Sequence, residues 1–295
     1  MNSFELDGLT YHFVEAGRGK TVVLLHGFTG SVETWARLIS VLSRQFRVIA
    51  IDLPGHGLTS TAADPVRYRM DYVAHDLVQL IERLDGSPAS WLGYSMGGRL
   101  ALYLAVYHPS SVRALALESA SPGLSSDGER RKRRSADEAL ASRLERGDIQ
   151  SFVDQWEQLP IFETQKTLPD FARTALRRQR LANDPSGLAN SLRGMGTGAQ
   201  PSLWGFLNQL AMPVLLIAGE LDRKFVEINQ GMAAAISHAT LRIVPGAGHA
   251  VHLERPDAFS LVSSDFLSAS LQDSRYDHAG AKQNGEKERG HRHLL

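Results

Sequence analysis

The chain has 295 residues, and its 32 basic and 32 acidic side chains give a formal net charge of 0. Hydrophobic residues make up 43% and charged residues 22%, the mix of a folded globular protein with one large or two small domains, which excludes overall disorder and argues against a nucleic-acid binder. Cysteine is absent, which excludes disulfide scaffolds, thiolate zinc sites, iron–sulfur clusters and a cysteine nucleophile, and fits a reducing compartment. The N-terminal MNSFELDGLTYHF lacks the layout of a signal peptide. No run approaches the roughly 18 apolar residues of a membrane span, so the expected location is cytoplasmic, without membrane insertion.

Residues 4–15 read as two short strands around Asp7-Gly8, a hairpin. The runs TVVLL (21–25), FRVIAID (46–52), ASWLGY (89–94), VRALALE (112–118), PVLLIAGE (213–220) and TLRIVPG (240–246) follow. They are too short for core helices and lack alternation, as expected of parallel strands buried on both faces. Helical stretches at 34–43, 69–84, 97–107, 226–236 and 256–268 separate or follow them, which predicts a mostly parallel, doubly wound α/β sheet. The interval between 118 and 213 holds no convincing strand, only Arg, Glu, Leu and Trp at helical spacing. It reads as a helical lid, 121–205, inserted into a core of 1–120 and 206–270, over the carboxyl edge where α/β ligands bind. Residues 271–295 are polar and read as a disordered tail. Its His278, His291 and His293 read as solvated rather than metal-binding. There is no internal repeat.

GYSMG (93–97) lies between an apolar strand and a helical stretch, the context of a G-x-S-x-G nucleophile elbow centred on Ser95. Small neighbours are needed because the turn is tight and the serine backbone is strained. A serine needs a base and the base an orienting acid. Asp222 follows PVLLIAGEL, and His249 follows TLRIVPGAG, giving the order Ser…Asp…His. Glu118 and Glu220 are rival acids, and His252 and His26 rival bases. HGFTG (26–30) follows the first parallel strand, so the backbone N–H groups of Phe28 and Met96 are the candidate oxyanion donors. His26, Asp52 and His56 read as loop-bracing residues.

HGFTGSVETW, DLPGHG, GYSMGG and GHAVHLERP together resemble the α/β-hydrolase superfamily. GYSMGGRLALYLAVYHPSSVRALALESASPGL, QWEQLPIF and GLANSLRGMGTGAQPSLW resemble one branch closely, the 2-succinyl-6-hydroxy-2,4-cyclohexadiene-1-carboxylate synthases of menaquinone biosynthesis. The resemblance runs from about residue 10 to 268 and does not include the tail. It implies elimination of pyruvate from 2-succinyl-5-enolpyruvyl-6-hydroxy-3-cyclohexene-1-carboxylate, with the triad serine as base. No metal or organic cofactor is expected, because the substrate carbonyl serves as electron sink. The expected partner is a small polycarboxylate, and oligomeric state is left open. A serine esterase or carbon–carbon bond hydrolase is the alternative on the same scaffold.

Arg99 stands one turn into the helix after Ser95, where a cation opposes the helix dipole. An anionic substrate group or a salt bridge to Glu118 would each account for it. The resemblance favours the substrate, and also implies a role for Arg133 within ERRKRR (129–134). Of Arg177, Arg178 and Arg180 in TALRRQR, Arg177 is the expected one to face the site. Arginine suits carboxylates through paired hydrogen bonds. Tyr94, Trp156 and Phe162 are expected as aromatic pocket walls, although core packing also explains the last two.

Overall fold

The computed structural model describes residues 2–272. The last helix runs to Gln272; the rest of the tail expected at 271–295, with its three histidines, lies outside the described residues.

Eight strands form one sheet: β1 (Asn2–Leu6), β2 (Leu9–Ala16), β3 (Thr21–Leu25), β4 (Arg47–Ile51), β5 (Ala89–Tyr94), β6 (Val112–Glu118), β7 (Val214–Gly219) and β8 (Ala239–Val244). Their order is β1-β2-β4-β3-β5-β6-β7-β8. The hairpin β1–β2 is antiparallel and joins β4 antiparallel; every other pairing is parallel. The missing alternation has a direct cause. In β3, Val22 and Leu24 join one apolar cluster while Val23 and Leu25 join another on the opposite face. Burying such side chains stabilises by about 1.5–3 kcal/mol each. Strand propensity spans only about 1 kcal/mol, so burial decides which runs become central strands.

Helices α1 (Ala36–Leu42) and α10 (Pro256–Gln272), with the single turn α9 (Val251–Glu254), pack on one face. Helices α2 (Met70–Arg83), α3 (Met96–Tyr107) and α8 (Arg223–Ala235) pack on the other. Helix 34–43 expected from sequence begins as a 3₁₀ turn, Val32–Trp35, because Ser31 accepts from the Glu33 N–H and Thr34 completes a capping box.

Four helices fill the interval between β6 and β7: α4 (Asp127–Arg146), α5 (Ile149–Trp156), α6 (Asp170–Leu181) and α7 (Pro185–Met195). The sequence of α4 is almost wholly polar, so caps and pairs hold it. Ser126 caps the Glu129 N–H, acids sit in its first turn and arginines in its last, complementing the dipole. Arg193 of α7 binds both Glu138 and Glu145 of α4. A small apolar cluster of Ala141, Leu144, Phe152, Leu188 and Leu192 lies beneath. The α6–α7 joint is tied to the core. Asn183 Nδ2 donates to the Thr29 carbonyl at 3.0 Å, and its Oδ1 accepts from the Gly57 N–H at 3.2 Å.

Candidate active site

Ser95 sits between β5 and α3 with φ 48° and ψ −107°, a left-handed conformation that costs a non-glycine residue of order 1–3 kcal/mol. The flanking glycines make the turn sterically feasible. A Cβ on Gly97 would overlap the carbonyl oxygens of Leu25 and His26, and one on Gly93 would overlap the Gly97 carbonyl. The strain lifts the serine hydroxyl onto the carboxyl edge of the sheet.

His249 arrives from the loop after β8, and Asp222 from the end of β7. The His249 Nδ1 lies 2.7 Å from Asp222 Oδ2, and its Nε2 lies 3.1 Å from Ser95 Oγ. A carboxylate only accepts, so Nδ1 carries the proton and Nε2 is left to accept from the serine hydroxyl. Asp222 is also the N-cap of α8, its other oxygen accepting from the Phe225 N–H at 3.4 Å. The rivals are engaged elsewhere. Glu118 is fully buried and accepts from the His252 N–H and Nδ1. Glu220 accepts from the Gly246 N–H. His26 donates from Nδ1 to the Gly27 carbonyl and accepts at Nε2 from the Leu53 N–H, so it braces the Phe28 loop as a neutral ring. Burial lowers its pKa accordingly. Asp52 accepts from the Val32 and Leu58 N–H groups and pairs with His12, also a structural task.

A cavity of about 420 Å³ opens above Ser95, and Phe28, Met96, Trp156, Phe162 and His249 line it. The N–H of Met96 belongs to the first turn of α3, which has no intrahelical acceptor. Three cations, Arg99, Arg133 and Lys224, line the cavity against one carboxylate, Glu129. Arg99 is only 9% exposed, yet the one hydrogen-bond partner of its side chain among the described residues is neutral, the Gln200 Oε1 at 3.2 Å. Burial pulls its pKa down to about 10, with Asp137 opposing, so it remains charged at neutral pH. Arg133 is held through Nε alone, 2.7 Å from Asp137 Oδ1, so its terminal nitrogens are not committed to that contact.

Tyr94 faces a smaller chamber of about 60 Å³ that shares Phe28, Ser95, Trp156 and Phe162 with the main one. Its ring packs against His252 and His249, and burial, then the Glu118 charge, raise its pKa well above the usual tyrosine value. The expectation for Arg177 is corrected. It lies outside both chambers, paired with Asp154 and Glu157. Arg180 takes the inner position instead: it is buried, lines the smaller chamber, binds Glu157 and Gln165, and stacks over Phe162. Two spots one turn apart on α6 differ only in helix phase, which spacing leaves undetermined. Sequence reasoning also passed over Lys224, whose only signal is adjacency to Asp222 in LDRKF, and Gln200. Among the described residues no cluster of side chains is suited to hold a metal ion, and no helix is long and apolar enough to cross a membrane.

The α/β-hydrolase fold family profile matches residues 20–256. A Bacillus subtilis relative, provisionally named a 2-succinyl-6-hydroxy-2,4-cyclohexadiene-1-carboxylate synthase, is 43% identical over 89% of this chain and 96% of its own. A Serratia proteamaculans synthase of that name is 34% identical over 83% of this chain and 92% of its own. The solved structure of MenH from S. aureus superposes with a TM-score of 0.84 at 37% identity, covering 88% of this chain and 98% of that one. The elbow, the strand order and these relatives agree, and the chain belongs to the α/β-hydrolase fold family and, within it, to the 2-succinyl-6-hydroxy-2,4-cyclohexadiene-1-carboxylate synthases.

Proposed function

We propose that the chain is a lyase that eliminates pyruvate from 2-succinyl-5-enolpyruvyl-6-hydroxy-3-cyclohexene-1-carboxylate in menaquinone biosynthesis, with Ser95, His249 and Asp222 as its proton-handling apparatus. The observation that carries this reading is Arg99, a buried guanidinium at the serine cavity with no carboxylate partner among the described residues. Burying an unpaired charge is costly unless something completes it. A carboxylate of the substrate is the natural complement, whereas a neutral ester would leave the charge uncompensated.

Asp222 fixes the His249 tautomer, and Nε2 draws the proton from Ser95 Oγ. The serine oxygen removes the ring C2 hydrogen, which the adjacent succinyl carbonyl acidifies. Negative charge moves to that carbonyl oxygen, where the N–H groups of Phe28 and Met96 stabilise it. The electron pair returns through C2=C3, the C3=C4 double bond shifts to C4=C5, and the C5–O bond breaks. Enolpyruvate leaves and becomes pyruvate on protonation. Arg99, Arg133 and Lys224 hold carboxylates, and Tyr94, Trp156 and Phe162 wall the ring. Residues 121–205 act as the lid over a core of 1–120 and 206–270, and a cytoplasmic location, in keeping with the biosynthetic relatives, belongs to the same proposal.

The test is incubation with the enolpyruvyl substrate, following pyruvate by a lactate dehydrogenase couple. Stoichiometric pyruvate with unmodified protein in rapid-quench mass spectra is expected. An acyl-enzyme, or no pyruvate, would favour the hydrolase reaction.

A further inference from the structure

Gln200 is fully buried in the turn that leads from α7 back to the core. Its Oε1 accepts from Arg99 Nη1 and its Nε2 donates to the Ser121 carbonyl at 3.0 Å. A guanidinium only donates and a carbonyl only accepts, so these two neighbours fix which end of the amide faces Arg99. The buried carboxylates that could have served are occupied, and Glu129, the remaining carboxylate at the cavity, is exposed. Glu118 belongs to His252, and Asp137 divides its oxygens between Arg133 Nε and the Gly198 N–H. A glutamate in place of Gln200 would bind the cation more strongly, since it would add the attraction of a full negative charge to the hydrogen bond. It would also cancel the charge. The neutral amide aims the side chain and leaves the charge in place.

We propose that Gln200 is a positioning residue that aims Arg99 into the cavity without pairing it to a carboxylate, so that the site selects a carboxylate-bearing substrate. The inference rests on the reading that Arg99 meets a substrate carboxylate. Gln200 itself need not touch the substrate; it acts through Arg99. An interaction present equally in ground and transition states appears in KM and not in kcat.

The experiment compares Gln200→Glu with Gln200→Leu, alone and in an Arg99→Ala background, by KM and kcat for pyruvate release. Gln200→Glu is expected to raise KM about ten- to a hundredfold with kcat little changed, since it supplies Arg99 with an internal anion. Gln200→Leu, which removes both hydrogen bonds but adds no charge, is expected to raise KM only several-fold, and to do nothing further once Arg99 is gone. A purely structural role predicts the opposite ranking, with Leu more damaging than Glu. That ranking, or an unchanged Leu effect without Arg99, overturns the proposal. If the wild-type chain releases no pyruvate, the proposed reaction fails by itself, and calorimetric titration with succinate decides the role of Gln200. Weaker succinate binding by Gln200→Glu than by wild type supports it. Equal binding, or none by either, overturns it.

Discussion

Asp222→Asn separates the orientation of His249 from its presence. In the native site one carboxylate oxygen holds His249 Nδ1 at 2.7 Å and the other caps the Phe225 N–H at 3.4 Å. An asparagine must choose. If its oxygen keeps the cap, its NH₂ faces Nδ1, the ring takes the other tautomer, and Nε2–H can no longer accept from Ser95. If its oxygen turns to the ring, the NH₂ meets the Phe225 N–H and the cap is lost, at about 0.5–2 kcal/mol. The cap bond is long, so the low end applies, and the wrong tautomer is preferred only a few-fold. Removing a general base costs about 10²–10⁴-fold. A few-fold tautomer preference costs only a few-fold in kcat; most of the loss comes from the missing carboxylate charge opposite the imidazolium, so the expected fall is nearer 10² than 10⁴, with melting temperature almost unchanged. The assay is coupled pyruvate release beside a thermal melt. Glu118→Gln is the control, because Glu118 contacts His252 and not His249; it should lower melting temperature more than kcat. Near-wild-type turnover by Asp222→Asn with a large loss in Glu118→Gln would refute the triad assignment.

Gly97→Ala should destabilise by about 2–4 kcal/mol, because the new methyl group meets two backbone carbonyls that cannot move cheaply; denaturant melts read it. Arg133→Ala should lower kcat/KM about tenfold, while Arg177→Ala, paired on the outer surface, should stay within about twofold; equal losses would return Arg177 to the site. The pH dependence of stability follows from His26 and His56, whose pKa values burial lowers. A lowered folded pKa means that the unfolded chain binds protons first. Stability is therefore full above the unfolded value near 6.5 and declines as pH falls through it towards the folded values. Melting temperature should fall between pH 7.5 and 5.5, and a flat profile would contradict the buried neutral rings.

The parts of the molecule legible in its sequence are those fixed by period and order. The runs ending at Leu25, Tyr94 and Glu118 are strands because both faces are buried, and Ser95, Asp222 and His249 each follow a strand end, so one sheet edge gathers them. What sequence did not resolve depends on phase and on long-range partners. Arg177 and Arg180 share α6, and only packing against Phe162 and Gln165 turns Arg180 inward. Glu118 ends a strand as convincingly as Asp222 precedes a helix. Its commitment to His252 comes from α9 crossing that edge, a contact more than a hundred residues away in sequence. Gln200 lies within GLANSLRGMGTGAQPSLW, a stretch that marks the family without singling out the residue, and its proposed role shows only beside Arg99.

The Asn183 tie gives the helices above the cavity a mechanical relation to catalysis. Its amide clasps the carbonyl of Thr29, next to Phe28, and the N–H of Gly57 in the neighbouring turn. Lifting the α6–α7 joint would therefore release the very loop whose Phe28 N–H the proposed mechanism directs at the developing oxyanion. The covering is not a passive shutter. Loosening it at Asn183 should slow chemistry as well as weaken binding, and so should loosening α5, whose Phe152 and Trp156 rings pack against Phe28, whereas loosening α4 should be felt first in binding, through Arg133.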